Sequence, residues 1–155
     1  MKKIVVDTNI VFSAILNTES NIGDILMNSD EVFIFYSAQY LRQEIENHKD
    51  KLIEISKLSE QEIEESKYQI FSRIHFLAEG QIPFEIWRRS AEYVRDVDMD
   101  DIAFVAMSEY LDVRLWSGDK KLIEGLISKG FNRCISTKEL LELRREIEKE
   151  EKNRK

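Results

Sequence analysis

The stretch Ile4-Val5-Val6-Asp7-Thr8-Asn9 decides the fold. Three consecutive β-branched residues suit a short strand buried on both faces, as in a parallel sheet covered on each side. Asp7 then stands at the carboxyl end of that strand. Open parallel sheets hold their ligands in the crevice beyond those ends, where helix N-termini also converge. An acidic side chain there is well placed to meet a cation.

Outward from this strand, apolar and small residues from Ile10 to Met27 recur at helical spacing, with a break near 17–21. Val32 to Tyr36 reads as a second buried strand. Ser37 is expected to cap a helix whose apolar face uses Ala38, Leu41, Ile45 and Leu52. The capping box Ser59/Glu62 predicts a long helix carrying Ile63, Ile70, Phe71 and Ile74, and Phe76-Leu77 reads as a strand. Pro83 suits the first turn of a helix running to about Arg95. Asp98-Met99-Asp100-Asp101 leads into a helix with Ile102, Val105, Ala106 and Met107 inward. Val113 to Trp116 is a third strand, followed by Ser117-Gly118-Asp119 and a helix with Leu122, Ile123 and Leu126. Gly130 ends that helix, Phe131 to Ile135 make a last strand, and Ser136/Glu139 form a second capping box. Strands alternate with helices throughout, so the class is α/β with a mostly parallel sheet.

A chain of 155 residues is about one domain. We expect a single domain over 1–143 and a charged C-terminal helix end over 144–155. The one cysteine, Cys134, cannot form an internal bridge and reads as a small core residue, which fits a reducing cytoplasm. The basic start Met1-Lys2-Lys3 is followed by only Ile4 to Val6 before Asp7, too short for a signal peptide. No segment approaches the roughly 20 apolar residues of a membrane span. The net charge of -7 argues against broad electrostatic adhesion to nucleic acid. It leaves room for a nucleic-acid enzyme, because cations held by carboxylates reverse the local sign. Arg88-Arg89 and Lys120-Lys121 are basic rims that either contact phosphate or serve as solvated surface.

Asp7, Asp101 and Asp119 share one local grammar, each standing after a strand or at the head of a helix. Taken singly, each is accounted for as an N-cap favoured by the helix dipole. In a parallel sheet, however, all three ends lie on one edge, so three caps point into one crevice. Glu44 sits in mid-helix. At about 100° per residue, Leu41, Ile45 and Leu52 define the buried stripe, Glu44 and His48 flank it, and Glu46 points nearly opposite. Glu44 therefore either finds a partner or snorkels to solvent. Converging carboxylates without metal-spaced histidines or paired cysteines suit Mg²⁺ or Mn²⁺ rather than zinc. His48 and His75 read as structural or surface residues. The chain has no Gly-rich phosphate loop, no Gly-x-Ser-x-Gly elbow and no Cys-x-x-Cys pair.

Asp7-Thr8-Asn9 after an N-terminal strand, Glu44 in an early helix, Asp101 followed by Phe104-Val105-Ala106, and Leu115-Trp116-Ser117-Gly118-Asp119-Lys120-Lys121 together resemble the PIN-domain ribonucleases. These include the VapC-type toxins of bacterial and archaeal toxin–antitoxin pairs. The resemblance runs from Asp7 to Ser136-Thr137-Lys138-Glu139, while the region 53–93 carries no matching motif. It implies a three-layer α/β/α sandwich in which Asp7, Glu44, Asp101 and Asp119 form a metal-binding, catalytic quartet. Asn9 and Ser117 would be polar supports and Asp98 an auxiliary acid. Asp100 competes with Asp101 for the third position, and Asp101 is favoured because its spacing to Phe104 and Ala106 is more similar to the family pattern.

The activity so implied is Mg²⁺- or Mn²⁺-dependent hydrolysis of single-stranded RNA, with Arg88, Arg89, Lys120 or Lys121 holding flanking phosphates. A small antitoxin covering the crevice and a homodimer are the implied protein partners. Two rivals stand beside it. A non-catalytic RNA-binding or scaffold module would keep the fold, although it has no reason to bear clustered carboxylates. Phosphoryl transfer to an aspartate is weakened because Asn9 stands where a second acid would follow Asp7.

Overall fold

The computed structural model describes residues 1–154. Its strands are β1 (Lys2–Val6), β2 (Phe33–Ala38), β3 (Ile74–Leu77), β4 (Arg114–Trp116) and β5 (Cys134–Ile135). They form one sheet in the order β3-β2-β1-β4-β5, with every neighbouring pair parallel. The sheet is thus wholly parallel, where the sequence suggested mostly so. Ile4, Val5 and Val6 of the central strand are all buried, as a strand covered on both faces requires.

One helical layer gathers around α1 (Thr8–Leu16), which packs against α2 (Asn21–Met27), α3 (Tyr40–Asn47), α4 (Lys49–Ser56) and α5 (Glu60–Phe71). On the other side, α6 (Phe84–Val94) packs against α7 (Ile102–Leu111) and α8 (Lys120–Ser128). α7 lies against β1, β2 and β4, and Ala103 through Ser108 are all buried. A helix apolar nearly all round is one enclosed by its own protein. α9 (Thr137–Arg154) returns to α2, where Arg144 Nη2 meets Asp24 Oδ2 at 2.6 Å and holds that carboxyl below its usual range. The result is the expected three-layer α/β/α sandwich.

The chain runs outward from β1 to β2 and β3, then crosses back to lay β4 on the other side of β1. Strand order reverses there, and such a switch point opens a crevice beyond the strand ends. The last register pair of this junction is Val6 with Trp116. Asp7 and Ser117 therefore leave the sheet side by side.

Four local expectations need correction. Ser37 caps no helix: it lies in β2, paired with Phe76, and its hydroxyl donates to the Val6 carbonyl at 2.8 Å. A serine hydroxyl satisfies a strand carbonyl as readily as a first-turn N–H, and here the parallel ladder extends through Ala38. The single helix expected over Ala38 to Leu52 is two, because His48 departs from helical geometry (φ −105°, ψ 16°) and serves both as the end of α3 and the start of α4. Ile74 belongs to β3, since α5 stops at Phe71 and the ladder with β2 begins at Phe35–Ile74. The last strand is only Cys134–Ile135, the two residues that find partners on β4. Both capping boxes form as expected, Ser59 with Glu62 and Ser136 with Glu139.

Candidate functional site

Asp7 closes β1 and caps α1, its Oδ1 accepting the Ile10 N–H at 3.0 Å. Asp119 does the same after β4, its Oδ1 accepting from Lys121 N at 3.0 Å and Leu122 N at 3.2 Å at the head of α8. Ser117, buried between them in sequence, accepts the Asp119 N–H on its hydroxyl at 3.2 Å and so shapes the turn. The capping reading is correct for both aspartates. It is incomplete for Asp7, whose other oxygen, Oδ2, is buried and has no hydrogen-bond partner.

Asp101 behaves differently. It precedes α7 without making any side-chain cap, and the capping work falls to Asp98, whose Oδ1 accepts the Asp100 N–H at 2.9 Å across the turn Met99–Asp101. Freed from capping, the Asp101 carboxylate faces the other acids. From the remaining direction Glu44 arrives on α3, held by the Thr8 hydroxyl, which donates to Glu44 Oε1 at 2.5 Å. Glu44 is thus partnered rather than snorkelling. A cavity of about 210 Å³ opens here. Its lining comes from Thr8, Asn9 and Phe12 of α1, from Glu44, His48 and Lys51 of the α3–α4 segment, and from Asp98, Asp100 and Asp101 before α7, while Asp7 and Asp119 are not part of it.

The charges report the proximity. Burial raises the Asp7 carboxyl to about 6, with the charges of Asp119 and Glu44 adding to the rise, while the neighbouring Ser117 hydroxyl and the Ile10 N–H oppose it. Burial also raises Asp101 to about 7, and there the charges of Asp7, Asp98, Asp119 and Glu44 all contribute. Asp101 therefore feels every other member of the expected quartet. Asp100 bears instead on Tyr40, whose phenol is raised by burial and by the adjacent Glu44, Asp100 and Asp101.

An all-carboxylate donor set, a buried oxygen without a partner and like charges pressed together fit a hard divalent cation. Among the described residues no three His, Cys, Asp or Glu side chains yet close around one point. The acids are gathered in range of one another's charge, short of a finished cage.

A family model described as PIN domain matches residues 5–149. The chain belongs to the PIN-domain family. This PIN domain is also similar in fold to solved structures. One is a chain of VapBC2 from Rickettsia felis, in a crystal structure bound to a DNA fragment from their promoter, with TM-score 0.64 and 15% identity over 86% of this chain and 98% of that one. Another is PAE2754 from Pyrobaculum aerophilum, with TM-score 0.65 and 15% identity over 92% of this chain and 89% of that one. No curated protein matches it.

The basic residues singled out in the sequence lie elsewhere in this PIN domain. Arg88 pairs with Glu85 at 2.8 Å and Arg89 with Glu109 at 3.6 Å, and neither lines the cavity. Lys120 and Lys121 are exposed beside Asp119, at the start of α8, also outside the lining. His48, Lys51 and Phe12 line the cavity and were not singled out for it. No local spacing announced Lys51, because α3 and α4 are separate helices that meet at the non-helical His48. Cys134 is half-buried, and burial pushes its thiol up to about 11, which disfavours the thiolate. No helix among the described residues is long and apolar enough to cross a membrane.

Proposed function

We propose that this PIN domain is a divalent-cation-dependent endoribonuclease acting on single-stranded RNA, and that it is the toxin of a toxin–antitoxin pair. The observation that carries the enzymatic part is the gathering of Asp7, Glu44, Asp101 and Asp119 at the β1/β4 switch point, where burial, with the charges of the neighbouring acids adding to it, raises Asp7 to about 6 and Asp101 to about 7. Such repulsion is unfavourable unless a cation relieves it. These four residues would hold Mg²⁺ or Mn²⁺. When bound, the cation supplies the positive charge that activates a water and offsets the charge gathering on the phosphate.

The chain's own residues do the rest. Asp7, anchored through Oδ1, keeps Oδ2 for the cation and out of reach of solvent. Thr8 fixes the orientation of Glu44, and Ser117 fixes the turn that presents Asp119. Asp98 holds the turn that leaves Asp101 free of capping. Asn9, on the cavity wall, offers an amide that donates to a phosphate oxygen or orients a water.

Support for the toxin role comes from the likeness to the VapBC2 chain and from the motifs shared with VapC-type toxins. A small antitoxin reaching a cationic side chain into the acidic cavity would relieve the same repulsion. A second reading, a non-catalytic RNA-binding or scaffold module, draws on the unfinished spacing of the carboxylates.

Cleavage of a generic single-stranded RNA by the purified protein, with Mg²⁺, Mn²⁺ or EDTA and beside Asp7→Asn, separates the two. Metal-dependent cleavage lost in the variant is the expected result. No cleavage, together with no divalent-ion binding by calorimetry, overturns the enzyme in favour of the scaffold.

A further inference from the structure

The cavity has one cationic ammonium among its acids, Lys51 of α4. Two other lysines of α4 and α5 are engaged: Lys49 pairs with Glu60 at 2.8 Å and Glu64 at 3.2 Å, and Lys67 pairs with Glu46 and Glu64 at 3.1 and 3.0 Å. Lys51 makes no ion pair among the described residues, in a chain of net charge -7 where carboxylates are plentiful. Its Nζ stands 5.9 Å from the centroid of the Phe12 ring on the facing helix. A cation over an aromatic face is held by the ring quadrupole without being neutralised. His48, three residues earlier and on the same wall, brings an imidazole that has an N–H donor in either protonation state.

Glu44 of α3, His48 at the α3–α4 junction and Lys51 of α4 all line this cavity, one as an acceptor and two as donors. Asp98 and Asp100, from the turn before α7, also line the cavity and repel a phosphate. A strand entering such a cavity meets compensating charge at Lys51 and repulsion from the acids that line the rest. We propose that Lys51, with His48 beside it, binds the phosphate adjacent to the scissile one and so sets the direction in which the strand crosses the site. This rests on the ribonuclease reading above.

The test compares wild type, Lys51→Gln and Lys51→Arg in Mn²⁺-dependent cleavage of a single-stranded oligoribonucleotide over a range of salt, with thermal melts run alongside. Lys51 is exposed, so both variants are expected to fold as the wild type does. The expected result is a KM raised on the order of tenfold in Lys51→Gln, kcat within about twofold, and a log–log salt slope shallower by about 0.7, with Lys51→Arg near wild type. A Lys51→Gln enzyme with the KM and salt slope of wild type overturns the assignment while the nuclease stands. A fall in kcat alone, with KM and slope unmoved, overturns it too. If the wild type neither cleaves nor binds the oligonucleotide, the ribonuclease reading has failed and this inference fails with it.

Discussion

Thr8 and Glu44 are joined by a 2.5 Å hydrogen bond from hydroxyl to carboxylate, tying the first residue of α1 to the middle of α3. Thr8 follows Asp7 directly, so the bond holds a carboxylate from a separate helix beside the end of the central strand. The Tyr40 phenol, four residues earlier on the same helix, also lies against the Glu44 carboxylate.

Removing that donor tests whether orientation of Glu44 matters. Thr8→Val is expected to weaken Mn²⁺ binding on the order of tenfold, the usual scale for a residue that orients a metal ligand, while Thr8→Ser keeps it. Calorimetric titration reads the difference directly. Equal affinities in all three proteins would remove Thr8 as the group that orients Glu44.

The acids give the cation-free protein a particular response to pH. The Asp7 carboxyl is raised from its ordinary 3.8 to about 6 in the folded chain. Between these values the folded chain retains a proton that the unfolded chain has released, so stability falls as pH rises through that window. Asp101, raised to about 7, extends the fall upward. Asp7→Asn is expected to flatten part of this slope and to stabilise the cation-free protein near neutral pH by about 2 kcal/mol. Added Mn²⁺ should restore stability to the wild type more than to the variant. Urea unfolding between pH 4.5 and 7.5 (roughly the window of these groups) checks both, and a slope rising with pH in the wild type contradicts the account.

Asp100 and Asp101 both line the cavity, but Asp100 is exposed and Asp101 is half-buried among the other acids. Asp101→Asn is expected to lower kcat/KM on the order of a hundredfold, against less than about threefold for Asp100→Asn. The steady-state comparison under saturating Mn²⁺ decides between them, and the reverse ranking would move the third ligand to Asp100.

Gly23 tests the packing behind the site. A Cβ built there runs into the backbone carbonyl of Thr18, which cannot swing aside as a side chain can. Gly23→Ala is expected to cost about 2 kcal/mol by chemical denaturation, while Gly80→Ala, where nothing lies within 4 Å, stays within about 0.5 kcal/mol. Near-equal stabilities of the two variants would remove the close approach of α2 to the Thr18 turn from the account of the fold.

Much of this arrangement was legible in short stretches of chain. Ile4-Val5-Val6 before Asp7 announced a doubly covered strand, and β1 is that strand. Ser59/Glu62 and Ser136/Glu139 announced helix starts because a capping box is closed within a single turn. Asp7 and Asp119 were readable as caps for the same reason. Ser37 misled because its hydroxyl is equally suited to a local N–H and to a carbonyl thirty-one residues away, and only the β1/β2 pairing makes the second available.

What the sequence by itself determined is the class of fold, the identity of the strands and the acids at their ends, since hydrophobic period and capping chemistry act over a few residues. Tertiary structure alone decided that Asp101 rather than Asp98 stands free among the acids, that Thr8 holds Glu44, and that the break at His48 brings Lys51 onto the cavity wall. These depend on β4 returning beside β1 and on α3 and α4 packing against α1. A single sequence does not write such contacts locally, because each is the joint product of strand order and helix packing.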